Sequence, residues 1–197
     1  MQNTTDYLND LSNTVRNIIE QVQEINRLCT PEQLATRPTP ERWSVLDNLE
    51  HLSLYGDFYL PLFERTIAKG IQRGKRARPQ FWAGWLGGYF VKSMRPHNGK
   101  IPNPMKTFKS KNPVLVSVPD HAMERFLAQQ ERLLHILTEA HKTDLQGLRI
   151  PTTLGAFPKI SLGDGLAFII AHEARHMLQI QHTLAALQQP TLSLKWS

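Results

Sequence analysis

Four segments of this chain repeat apolar residues at spacings of three and four, with prolines standing between them. No other feature constrains the fold as much, because a spacing near 3.6 puts apolar side chains on one stripe of an α-helix. The first segment, near 4 to 28, carries Leu8, Leu11, Val15, Ile18, Ile19, Val22, Ile25 and Leu28. Pro31, Pro38 and Pro40 exclude its continuation. The second opens on Ser44 as N-cap, with Asp47 three residues on and Trp43 as an apolar anchor just before it. Leu46, Leu49, Leu52, Leu54, Phe58, Leu62 and Phe63 carry it to about Lys69, and Gly56 and Pro61 are expected to bend it. The third runs from near Pro119 to about His141 with Phe126, Leu127, Leu133, Leu134 and Leu137 inward. After a loop containing Pro151, Gly155 and Pro158, Ser161 and Asp164 repeat the capping pattern, and the fourth helix continues until Pro190. No stretch reads convincingly as a strand. The expectation is an all-α protein: a single domain over 1–197, a four-helix bundle with a long, partly helical connection between helices 2 and 3.

Composition excludes several classes. The start of the chain, Met1 to Asp10, is polar, without the apolar core of a secretory signal. The longest unbroken apolar run, Leu166 to Ala171, is far short of the ~20 residues a bilayer span needs. The single Cys29 has no internal disulfide partner, which fits a reducing cytoplasm. The net charge of +6 is unevenly placed. From Arg65 to Pro119 there are twelve Lys or Arg and no Asp or Glu, so a basic surface is expected there.

The fourth helix contains I-I-A-H-E-A-R-H-M-L-Q-I-Q-H, from Ile169 to His182. On a helix, His172 and His176 lie about 40° apart around the axis and roughly 6 Å along it, so both reach one metal ion. The letters spell the H-E-x-x-H of zinc proteases, and His182 falls where the longer form of that pattern has a third ligand. The longer pattern needs a helix-breaking glycine, however, and here the position is Gln179. Unbroken, the helix carries His182 about 240° from His176, off the metal face. A third ligand must therefore come from upstream, and His51, among leucines on the second helix, is the natural one. Three neutral imidazoles hold a divalent metal, zinc, nickel or iron, and leave positions open. Read from spacing alone, core or surface histidines are the competing interpretation. His97, His121, His135, His141 and His182 are assigned to solvent or packing. Glu173 is turned about 100° from His172 and is expected at the surface or behind the ligands.

R-P-T-P-E-R-W-S-V-L-D-N-L-E-H-L, from Arg37 to Leu52, resembles the start of the second helix in the DinB-like (DinB/YfiT-like) superfamily, and H-E-A-R-H-M-L-Q at His172 to Gln179 resembles its last helix. The resemblance implies a bacterial four-helix bundle whose metal is held by His51, His172 and His176. It further implies a metal-dependent enzyme acting on a small molecule, either by hydrolysis or by activating a small thiol cofactor for transfer. A non-catalytic bundle braced by a structural metal is the alternative.

The connection from Gly70 to Val118 has basic residues and glycines first, then an aromatic run with Trp82, Trp85, Tyr89 and Phe90, then prolines at 96, 102, 104 and 113. A short helix near 81 to 94 followed by extended chain is expected. The aromatics either cover the bundle, bury at a homodimer contact, or close as a lid that draws an anionic substrate to the metal. Contact with nucleic acid or a membrane surface ranks after these.

Overall fold

The computed structural model describes residues 1–97, 99–101, 107–115, 118–119 and 121–191, and of Ala156 the backbone alone. The elements in chain order are β1 (Gln2–Asn3), α1 (Thr4–Leu28), α2 (Pro31–Ala35), α3 (Val45–Gln72), β2 (Gln80–Phe81), α4 (Trp85–Met94), a 3-10 turn at Lys109–Lys111, α5 (Ala122–Ala140), β3 (Arg149–Thr152), β4 (Gly155–Ser161) and α6 (Leu162–Ala186). The four long helices α1, α3, α5 and α6 form the bundle: α3 packs on α5 and α6, and α1 closes the other side against the same two.

Three of the four long helices begin on a side-chain cap. Asn3 caps α1 by accepting from the amides of Thr5 and Asp6. Ser44 and Asp47 form a reciprocal capping box at α3, the side chain of each accepting from the other's amide. Thr30 and Gln33 do the same for α2, whose five residues are too few to leave an apolar period in the sequence. Ser161 caps α6 and also donates to the Asp164 carboxylate at 2.7 Å. The helix α3 runs without interruption through Gly56 and Pro61.

The apolar stripes meet in two clusters. One contains Leu8, Val15, Tyr59, Phe63, Leu133 and Leu166; the other contains Ile18, Val22, Leu49, Leu52, Phe126, Met177 and Ile180. Along α6 the first cluster ends at Ala171 and the second begins at Met177, so His172 and His176 fall between them.

Two expectations need correction. Residues 149–161, read as a loop, are an antiparallel hairpin in which Arg149 faces Ser161 and Ile150 faces Ile160. Ile150 and Ile160 are buried in the first cluster, whereas the intervening Phe157 is exposed. The alternation is too short and too interrupted by proline to be read as strands, and packing against the bundle decides it. The second correction concerns α4, which starts at Trp85, with Phe81 paired to Gln2 and stacked on Tyr7 at 4.5 Å between ring centroids. Behind it, α4 lies against α6 at Gly87, where a Cβ would stand 2.3 Å from Asp164 Cγ. Of the proline-rich tail, Pro102 and Pro104 lie outside the described residues, as does Asp120 just before α5.

Candidate metal centre

His51 projects from the second turn of α3, and His172 and His176 project one turn apart from the middle of α6. All three are buried. Their Nε2 atoms converge. His172 Nε2 is 3.3 Å from His51 Nε2 and 3.1 Å from His176 Nε2, and one candidate ligand atom from each residue lies within 4.8 Å of the other two.

The outer nitrogens explain why the inner ones are left bare. His51 Nδ1 is 2.7 Å from the carbonyl of Lys111, an atom that only accepts, so Nδ1 carries the proton and Nε2 keeps its lone pair. His176 Nδ1 is 2.9 Å from Asn48 Oδ1, and the Asn48 amide nitrogen donates to the Ser44 carbonyl at 2.8 Å. That bond orients the amide, so His176 also holds its proton on Nδ1 and directs an Nε2 lone pair at the same point. Burial pushes the His51 pKa down to about 4 and those of His172 and His176 well below the usual imidazole range, because a charged ring would be stripped of water.

These residues fit a divalent cation. A proton on His172 Nε2 has two facing lone pairs to serve, whereas one cation satisfies all three rings. Tetrahedral bonds of about 2.0–2.1 Å place ligand nitrogens roughly 3.3 Å apart, close to the two separations observed here. His172 Nδ1 has no hydrogen-bond partner among the described residues, so its tautomer is not fixed by the protein as those of the other two are.

The rings form one wall of a cavity of about 600 Å³. Trp43, at 4.8 Å from His51 and 5.8 Å from His176 between centroids, and Tyr55, at 4.7 Å from His172, flank the cluster. Arg42, Arg175 and Glu41 supply charge to the lining, and Met94, Ile101, Thr107 and Phe108 of the long connection complete it. Arg175 Nη1 donates to the Ser93 carbonyl at 3.4 Å, tying α6 to the end of α4.

Other candidates are placed differently. His97, His121, His135 and His182 are exposed and His141 is half-buried, none of them in the cluster. Asp47, one turn from His51, is held by Arg37 at 2.6 and 2.7 Å and by Ser44, while the Lys111 carbonyl takes the place beside His51. Glu173 is neither at the surface nor in the cavity lining. It is 4% exposed, its Oε1 accepts from Gln130 Nε2 at 3.0 Å, and burial pushes its pKa up to about 8. Asn48 and Lys111 were not singled out from the sequence. Asn48 had a signal, standing three residues before His51 and so on its face of the helix; the Lys111 carbonyl had none.

Fold and cluster together define a helical bundle with an inward-facing group of three imidazoles contributed by two helices. The DinB superfamily model matches residues 9–180, and the chain belongs to the DinB superfamily. Among solved structures, YfiT from Bacillus subtilis, described as a probable metal-dependent hydrolase with an unusual four-helix bundle topology, superposes with a TM-score of 0.55 at 11% sequence identity, covering 93% of this chain and 89% of that one. At that identity the likeness speaks for the fold alone. Curated protein sequences gave no match.

Proposed function

We propose that this protein is a single-domain, metal-dependent hydrolase in which His51, His172 and His176 hold one divalent transition metal ion, zinc, nickel or iron, facing a small anionic substrate. The observation that carries this reading is the convergence of three buried, neutral Nε2 atoms on the wall of a cavity large enough for a small molecule. The description of YfiT as a probable metal-dependent hydrolase supports the same direction. When bound, such an ion supplies Lewis acidity and a nucleophile at neutral pH.

The chain's own residues supply the rest. Lys111 and Asn48 fix the ring protons of His51 and His176 on the far side from the cavity. Tyr55, whose pKa burial pushes up to about 12, keeps its proton and so offers a hydrogen-bond donor at the cavity wall. Arg42 and Arg175 outnumber Glu41 there and favour an anionic group. Trp43, Met94, Ile101 and Phe108 give the lining its apolar part. Thiol transfer, the other chemistry implied by the sequence resemblance, has no separate support in this cavity.

Elemental analysis of protein carrying no histidine tag tests the proposal. One divalent transition metal per chain is expected, lost in His51→Ala and in His176→Ala with helical content retained. Protein that stays metal-free after incubation with zinc, nickel and iron salts, or a double His51→Ala, His176→Ala variant that keeps its metal, would overturn it.

A further inference from the structure

The helix α4 has two faces with opposite fates. Leu86, Phe90 and Val91 pack on the first core cluster and Met94 reaches the wall of the metal cavity, so this face covers the bundle. The other face is bare. Trp85 is 89% exposed and Tyr89, one turn on, 64%; Trp82, just before the helix, is 45% exposed. On the adjoining hairpin, which touches α4, Phe157 is 78% exposed, with Lys159 Nζ 5.4 Å from its ring centroid. Large aromatics left in water at helical spacing cost free energy that a folded chain has no internal reason to retain, and they mark a contact surface.

Charge narrows the partner. Arg73, Lys75, Arg76 and Arg78 lead into this segment, Lys92 lies on α4, and no acidic residue occurs between Arg65 and Pro119. Two acidic groups that contact this segment are already engaged: Asp144 accepts from Arg78 at 2.9 Å, and Asp164 is buried against Ser161 and the Gly84 amide. A second copy docking here through a two-fold axis would press this cationic surface onto its own image. Single-stranded nucleic acid is held in grooves where bases stack on an aromatic floor, whereas Trp85 stands clear of its neighbours. An anionic lipid surface suits both features: indole and phenol rings settle at the headgroup boundary, and Lys and Arg are drawn by the lipid charge. Among the described residues no helix is long and apolar enough to cross a membrane, so the contact is peripheral.

We propose that the outer face of α4, with Trp82, Trp85, Tyr89 and Lys92, docks this protein on anionic phospholipid bilayers, the exposed cations Arg73, Lys75 and Arg76 that precede it in the chain adding to the attraction. The test is co-sedimentation of the full chain with vesicles of phosphatidylcholine alone and of phosphatidylcholine mixed with phosphatidylglycerol, read together with tryptophan emission. Binding to the mixed vesicles, with a blue shift and a loss of binding as salt rises, is expected. A Trp85→Ala, Tyr89→Ala double variant should bind at least about tenfold more weakly at unchanged thermal stability, since both side chains are exposed. Lys75→Glu with Lys92→Glu should weaken binding to the mixed vesicles while leaving the aromatics in place. The proposal is overturned by absence of binding to the mixed vesicles, by equal binding to both vesicle types, or by wild-type binding of the double aromatic variant. It is also overturned if the wild-type protein ignores vesicles but self-associates, or binds a single-stranded oligonucleotide, and the double aromatic variant loses that property. His51→Ala should bind vesicles like the wild type, which separates this surface from the metal centre.

Discussion

Asn48 Oδ1 lies 2.9 Å from His176 Nδ1, across the gap between α3 and α6, and both residues are buried. Because the Asn48 amide nitrogen is committed to the Ser44 carbonyl, the oxygen faces the ring, and the ring can only donate to it. Replacing Asn48 by Ala removes the acceptor and lets His176 change tautomer. For the metal site proposed above, affinity is expected to fall about 10–100-fold, the usual cost of losing a hydrogen-bond partner behind a ligating histidine. Asn48→Asp, which keeps an acceptor, should lose less, and competition with a chromophoric chelator measures both.

Acid should destabilise the metal-free protein. All three clustered histidines are neutral in the fold because burial lowers their pKa, whereas in the unfolded chain they take up protons near pH 6.5. The unfolded state therefore binds more protons below that pH, and stability falls as pH falls. With up to three protons involved, the slope approaches about 4 kcal/mol per pH unit as an upper bound. Melting curves of chelator-treated protein between pH 7 and pH 5 should show this decline, and a variant with all three histidines replaced by apolar residues should show much less.

Glu173 acts in the opposite sense. Its folded pKa, pushed up to about 8 by burial, lies above the unfolded value, so it contributes stability at low pH that is lost as pH rises from about 4.3 toward 8. Glu173→Gln keeps an acceptor for Gln130 and removes the ionisation. In metal-free protein it should raise the melting temperature at pH 8 by several degrees and change it little at pH 4. Differential scanning fluorimetry at the two values decides it.

Arg125 joins α5 to α3 by donating to both oxygens of Glu50, at 2.7 and 2.8 Å, and to Asp57. Glu50 is buried, so removing its partner strands a carboxylate in the bundle. Arg125→Ala is expected to cost about 2–4 kcal/mol in a urea denaturation, reduced from a fully buried pair because Arg125 is partly exposed. By contrast Arg27→Ala, which breaks an exposed pair with Glu24, should leave the urea midpoint close to that of the wild type.

The one-turn spacing of His172 and His176, the caps at Ser44 and Ser161 and the stripes of the four long helices were legible in the sequence, because each depends on residues within a few positions of one another. The third imidazole was named from the resemblance and from its place among leucines, and its meeting with the others depends on how α3 packs against α6. The short hairpin at 149–161 and the burial of Glu173 were not legible. Both are settled by what the rest of the bundle presses against them, and neither leaves a periodic trace.

The sequence by itself determined the four long helices, the caps that start α3 and α6 and which face of each long helix is apolar, since those follow from local hydrogen bonding and a 3.6-residue period. Tertiary packing alone decided that a carbonyl sixty residues away orients His51, that Asn48 orients His176, and that the outer face of α4 stays bare. Such contacts join residues far apart in the chain, and they exist only once the helices have settled at particular distances and angles.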